Sequence, residues 1–158
     1  MTNTRLIIIL AAAWIGCTLA ASADVITYLF DNGGTDDWTD ISNWDLGRSP
    51  IAGDDVIVDG GFNDNNSVTD HLYINSPTAQ AATLTLAHAG TSPPNPHNNA
   101  YVTINPGATL TLSGDLEMNR GTGQNTHRKY GHLTNYGTLT ANAIPGFNNG
   151  GYTIDNHG

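Results

Sequence analysis

Three stretches in the second half of the chain, "VTINPGATLTL" (102–112), "HLTNYGTLTA" (132–141) and "YTIDNHG" (152–158), repeat one another. Each has an apolar residue, an Asn one or two positions on, and then a Gly; in the first two a Thr-Leu-Thr run follows. Gly107, Gly137 and Gly158 are spaced by 30 and then 21 residues, in the range of about 20–50 that marks stacked repeats. A unit of this size cannot bury its own Leu and Ile, so neighbouring units must stack to make a continuous core. Thr suits the outward positions, because its branched Cβ favours a strand and its hydroxyl accepts water. Asn at the turn can pair its amide with the Asn of the next coil.

The remaining sequence agrees with an all-β chain. Short runs alternate apolar and small polar residues at 25–30, 55–59, 71–74, 83–87, 101–104, 109–112, 115–118, 131–134, 137–141 and 152–154, the signature of strands. Gly, Asn, Asp and Pro fill the gaps and supply turn geometry. The segment from Ala87 to Ala100, rich in Pro and Asn, predicts a projecting loop. Together these features predict a right-handed parallel β-helix of roughly four to six coils. A β-sandwich, which also has short strands at intervals of about 8–12 residues, is the alternative fold.

Residues 1–23 have the form of a secretory signal: Arg5, an apolar run from Leu6 to Ile15, and Ala21-Ser22-Ala23 as an A-x-A cleavage site. The expected address is therefore secreted or cell-surface, with cleavage after Ala23. Lipid attachment at Cys17 is the alternative. Cleavage removes the only cysteine and leaves 14 acidic residues against four basic ones, a formal charge of −10. That balance argues against nucleic acid or an anionic membrane surface as partner, and no membrane insertion is expected after cleavage. Oligomeric state is not readable from the sequence.

Both tryptophans beyond the leader fall in "WTDISNWDLGRSPIAGDDVIV" (38–58). Trp38 and Trp44 are read as closing the open end of the first coil. The alternative is an aromatic platform for an extracellular glycan, since indole faces stack on sugar rings and the N–H supplies a polar handle. Asp31, Asp36, Asp37, Asp54, Asp55 and Asp59 offer the oxygen ligands that calcium takes, although no EF-hand or calcium-binding nonapeptide spacing is present. Solvated turn acids are the other reading, and no further cofactor is expected. His127 and His132, like His71, His88 and His97, lack zinc-enzyme spacing. The basic stretch from Asn119 to His132 reads as a solvated loop, and no nucleophile elbow, phosphate loop or convergent carboxylate pair appears. A non-catalytic chain is expected.

The residues Trp38, Asn43-Trp44, Gly47, Pro50, Gly53-Asp54 and the strand "DVIV", followed by Asn135 to Thr140, resemble the opening of large secreted bacterial β-helix surface proteins of the autotransporter-passenger and PEP-CTERM type. The resemblance implies a cap region over 24–70, coils over 71–158 and a structural or adhesive role facing glycans or matrix. The same scaffold also carries polysaccharide lyases and hydrolases, and a small secreted carbohydrate-binding module is a further alternative. Relatives of this type end in a sorting helix or an outer-membrane barrel. The halt at "TIDNHG", midway through the repeat, predicts that the chain is the N-terminal part of a longer protein.

Overall fold

A computed structural model describes residues 23–29, 35–58, 70–86, 99–118, 130–144 and 151–157. The leader, Asp31, Asp59, His88, His97 and His127, and most of the expected loops at 87–100 and 119–132, lie outside the described residues.

The chain is all-β, and its strands are built into parallel sheets. In order they are β1 (Val25–Thr27), β2 (Asp55–Val58), β3 (Asp70–Ile74), β4 (Ala79–Ala81), β5 (Thr83–Leu86), β6 (Asn99–Ile104), β7 (Thr109–Leu112), β8 (Leu116–Met118), β9 (Tyr130–Asn135), β10 (Thr138–Thr140) and β11 (Gly151–Asn156). Among the described residues one 3-10 turn, Ile41–Asn43, interrupts them. The first sheet has the order β1-β2-β5-β8, the second β11-β9-β6-β3 and the third β10-β7-β4. From β2 to β10 the chain visits the first, second and third sheets in rotation.

Every registered strand pair is parallel. A β-sandwich of hairpin-linked strands would be antiparallel, so the sandwich alternative is set aside.

The registers explain why the repeats look as they do. Ile26, Val56, Leu84 and Leu116 fall in one column, and Leu72, Val102, Leu133 and Ile154 in another. Ala79, Leu110 and Leu139 form the third-sheet counterpart. Except for Leu139 and Ile154 at the last turn, these side chains are buried in one core. Stacking like on like buries each apolar residue against its equivalent, so no single turn carries a core of its own.

Two details depart from the sequence repeat. Strand β4, "AQA", was not among the expected strands. Its alanines lack the β-branched signal, and its pairing with β7 makes it a strand. The repeated asparagines are also not equivalent. Asn105 donates to Asn75 Oδ1 at 2.6 Å, whereas Asn135 pairs in register with Ile104 and donates to Asn156 Oδ1 at 2.9 Å. The turn after β9 is two residues shorter than the turn after β6, which moves Asn135 into an inward, buried position.

Candidate functional site

Residues 35–54, between β1 and β2, pack at the β3 end of the stack. Strands β1 and β2 both fall within the cap region expected over 24–70. The segment 36–38 runs along β3: Trp38 N donates to the Tyr73 carbonyl at 2.9 Å and Tyr73 N to the Asp36 carbonyl at 2.7 Å. Asp36 adopts φ 41° there, a left-handed angle that Asp tolerates better than most residues, and Tyr28 Oη donates to its carboxylate at 3.1 Å. Asp40 caps the 3-10 turn, accepting from Ser42 N at 3.0 Å and Thr35 N at 3.1 Å. Those bonds from Ser42 and Thr35 hold its pKa down to about 2.

Trp38 and Trp44 are 1 % and 2 % exposed. Their rings meet edge to face at 5.2 Å, and Tyr28 closes on Trp44 at 5.6 Å. Trp44 Nε1 donates to the Trp38 carbonyl at 2.9 Å, so the indole N–H is satisfied inside the protein. A sugar platform needs an open ring face, and here the rings are spent on one another and on the core. The packing is that of the end-closing reading of Trp38 and Trp44, and it leaves little ring surface for the alternative glycan platform.

A charged cluster missed by the sequence reading sits beside them. Arg48 donates through Nη1 to Asp54 Oδ2, through Nη2 to Asp54 Oδ1 at 3.0 Å, and through Nη2 to Asp24 Oδ2 at 2.9 Å. Asp54 is fully buried and also accepts from Ile51 N at 2.9 Å and Asp24 N at 3.3 Å. Arg48 holds the Asp54 carboxyl below the usual carboxylate range, against the opposing effect of burial. The residues are separated by up to 30 positions, and no spacing motif announces such a contact.

The acids proposed for calcium are dispersed rather than convergent. Asp37 accepts from Thr39 N at 2.8 Å and from Asn75 Nδ2, Asp54 is committed to Arg48, and Asp55 accepts from Thr83 Oγ1 at 2.7 Å. Among the described residues no three His, Cys, Asp or Glu side chains are placed to hold a metal ion. Asp31 and Asp59 lie outside the described residues.

Two surface features remain. A groove of about 480 Å³ runs between the cap and the free edge of β4, lined by Trp38, Pro50, Ile51, Gly53, Thr78 and Gln80 among others. Ala81 O accepts from Ser113 of the neighbouring turn. In a parallel ladder the backbone groups of Gln80 then point the other way, toward the groove.

The second feature is a column of rings on the outer face of the second sheet. His71, Tyr101 and His132 are register partners. Tyr101 and His132 stack at 4.3 Å, and His71 stacks on Tyr73 at 4.2 Å. His71 Nε2 also lies 2.8 Å from Thr103 Oγ1. The signal for this column is present in the sequence, as the three residues recur at the coil spacing, although their spacing fits no metal pattern.

Burial lowers the pKa of both His71 and His132, with Asp36 and Asp155 respectively opposing it. A histidine held neutral in the fold stabilises it above the unfolded pKa and loses that contribution as pH falls below about 6.5 toward the folded value. Stability is expected to decline from pH 7 to about 5, and a His71→Gln, His132→Gln double variant should flatten that part of a Tm-against-pH profile. A second decline is expected below the usual carboxylate range of about 3.9, where Asp40, Asp37 and Asp54, all lowered in the fold, gain protons.

Comparison with protein-family models, curated proteins and solved structures finds no match to this chain. Among the described residues no helix is long and apolar enough to cross a membrane.

Proposed function

We propose that this chain forms a right-handed parallel β-helix, secreted by its leader and displayed outside the cell as a structural or adhesive surface without catalytic activity. The observation that carries the reading is the rotation of successive strands through three parallel sheets. Such a rotation produces a stiff prism whose faces extend with each coil, a geometry suited to display. The leader features at 1–23 support export.

The groove beside β4 is the better candidate for an extracellular glycan than the buried tryptophan faces. Its hydroxyls and Gln80 amide offer hydrogen bonds, and the exposed Ile51 offers apolar surface for sugar C–H groups. Incubation of the secreted chain with neutral and acidic polysaccharides tests both halves of the reading. Retention without release of shorter products is the expected result, and Ile51→Asp should abolish retention of a neutral glycan. Release of reducing or unsaturated ends would place the chain among polysaccharide-degrading enzymes instead.

A further inference from the structure

The cluster of Arg48, Asp24 and Asp54 has an unbalanced charge: one guanidinium faces two carboxylates. The backbone nitrogen of Asp24 points at the more buried of these carboxylates, 3.3 Å from Asp54 Oδ1. It belongs to the bond that the A-x-A pattern marks for cleavage, and Ala23 on the other side of that bond is exposed. We infer that removal of the leader after Ala23 creates an α-ammonium group at Asp24 that pairs with buried Asp54 and locks the cap. This rests on the export reading above.

Hydrolysis of the Ala23–Asp24 peptide bond by a leader peptidase consumes one water. Ala23 keeps the new carboxylate, and the amine left on Asp24 takes up a proton at neutral pH. The single amide N–H that reached Asp54 becomes an ammonium with three donors. The cluster then holds two cations and two anions. Charge-assisted bonds to a buried carboxylate are stronger than the amide contact they replace.

The strand position is already fixed without the new charge, because Asp55 N donates to the Asp24 carbonyl at 2.9 Å and β1 pairs with β2. The ammonium is thus delivered to a preformed partner. The charged groups packed about it are Asp54 and Arg48 of the cap and the Asp24 side chain, while Asp55 of β2 directs its carboxylate to Thr83.

An ammonium held by Asp54 has its pKa raised above the ordinary α-amino range of about 7.7–8.0. Its contribution is therefore complete below that range and is lost as pH rises through the raised value. Two chains test this: one beginning at Asp24 with a free amine, the other retaining Ser22–Ala23 with an acetylated end. At pH 7 the free-amine chain should melt higher by about 5 °C, and the gap should close on the way to about pH 10. In an Asp54→Asn background the gap should be absent at every pH. Equal melting of the two chains at pH 7, or a gap that persists unchanged at high pH, overturns the pairing. Mass spectrometry of the exported chain tests the cleavage separately. A first residue of Asp24 supports the inference, and any other first residue overturns the cleavage step whatever the melting curves show.

Discussion

Replacing Trp44 with alanine is expected to cost about 3–5 kcal/mol of stability, the usual penalty for emptying a buried aromatic site. The ring makes three contacts: it meets Trp38 and Tyr28 edge to face, and its Nε1 ties down the Trp38 carbonyl. A domain has only about 5–15 kcal/mol in hand, so Tm should fall by roughly 10–20 °C. Trp44→Phe, which keeps an aromatic body but loses the N–H bond, should recover more than half of that fall. Thermal unfolding of the two variants reads the difference. A Trp44→Ala chain that melts like the parent would remove the tryptophan pair from the folding of the cap.

The second large effect is expected at Gly137. Its backbone is pressed into the corner of the preceding coil, and an added Cβ would lie 2.6 Å from the Asn105 carbonyl oxygen and closer still to that of Ala108. No side chain can swing aside to relieve a clash with backbone. The corner would have to open, straining Tyr136 N to Ile104 O at 2.8 Å and Thr138 N to Ala108 O at 3.0 Å. Gly137→Ala is expected to cost about 2–3 kcal/mol, concentrated in the later coils. Amide hydrogen exchange should show lost protection in β9, β10 and β11 with β2 and β5 unchanged. Gly107→Ala is the contrast. Gly107 has φ +82° with nothing within 4 Å of an added Cβ, so only the backbone angle resists, and the cost should be nearer 1 kcal/mol.

Breaking the buried pair with Asp54→Asn should cost about 2–3 kcal/mol, below the full penalty for an enclosed ion pair because Arg48 retains contact with solvent. Chemical denaturation would measure it. The variant's acid decline should also shrink, since the carboxylate that Arg48 holds ionised is no longer there.

Much of the architecture was legible because a stacked fold writes itself into the chain at fixed intervals. Leu110 and Leu139 follow the same Thr on the same face, and Val102 and Leu133 hold equivalent places one coil apart. Such columns need no knowledge of the rest of the molecule. Strand β4 was not legible, since "AQA" carries no strand preference and acquires its identity from β7. The asparagine alignment misled for a related reason: a turn shortened by two residues keeps the letters in phase while moving Asn135 from corner to core.

The site was harder to read than the fold. Two close tryptophans admit both a platform and a plug, and only their mutual edge-to-face packing separates these. Arg48 is one cation in an acidic region, and no motif marks it. Its partners, Asp24 and Asp54, come from the residues just before β1 and just before β2, and sequence proximity does not report a contact of that kind. Of the acids that offer calcium ligands, Asp36, Asp37, Asp54 and Asp55 accept separately from nearby hydroxyl, amide and guanidinium groups, contacts that composition does not report.

The parallel stacking of coils is the premise on which the display reading depends, and backbone proton contacts in solution test it most directly. A nuclear Overhauser experiment on the isotopically labelled chain should link Leu110 to both Ala79 and Leu139, and Val102 to both Leu72 and Leu133, in the parallel registers described above. Contacts of the antiparallel type between strands adjacent in sequence, such as β6 with β7, would contradict the account and return the chain to a sandwich.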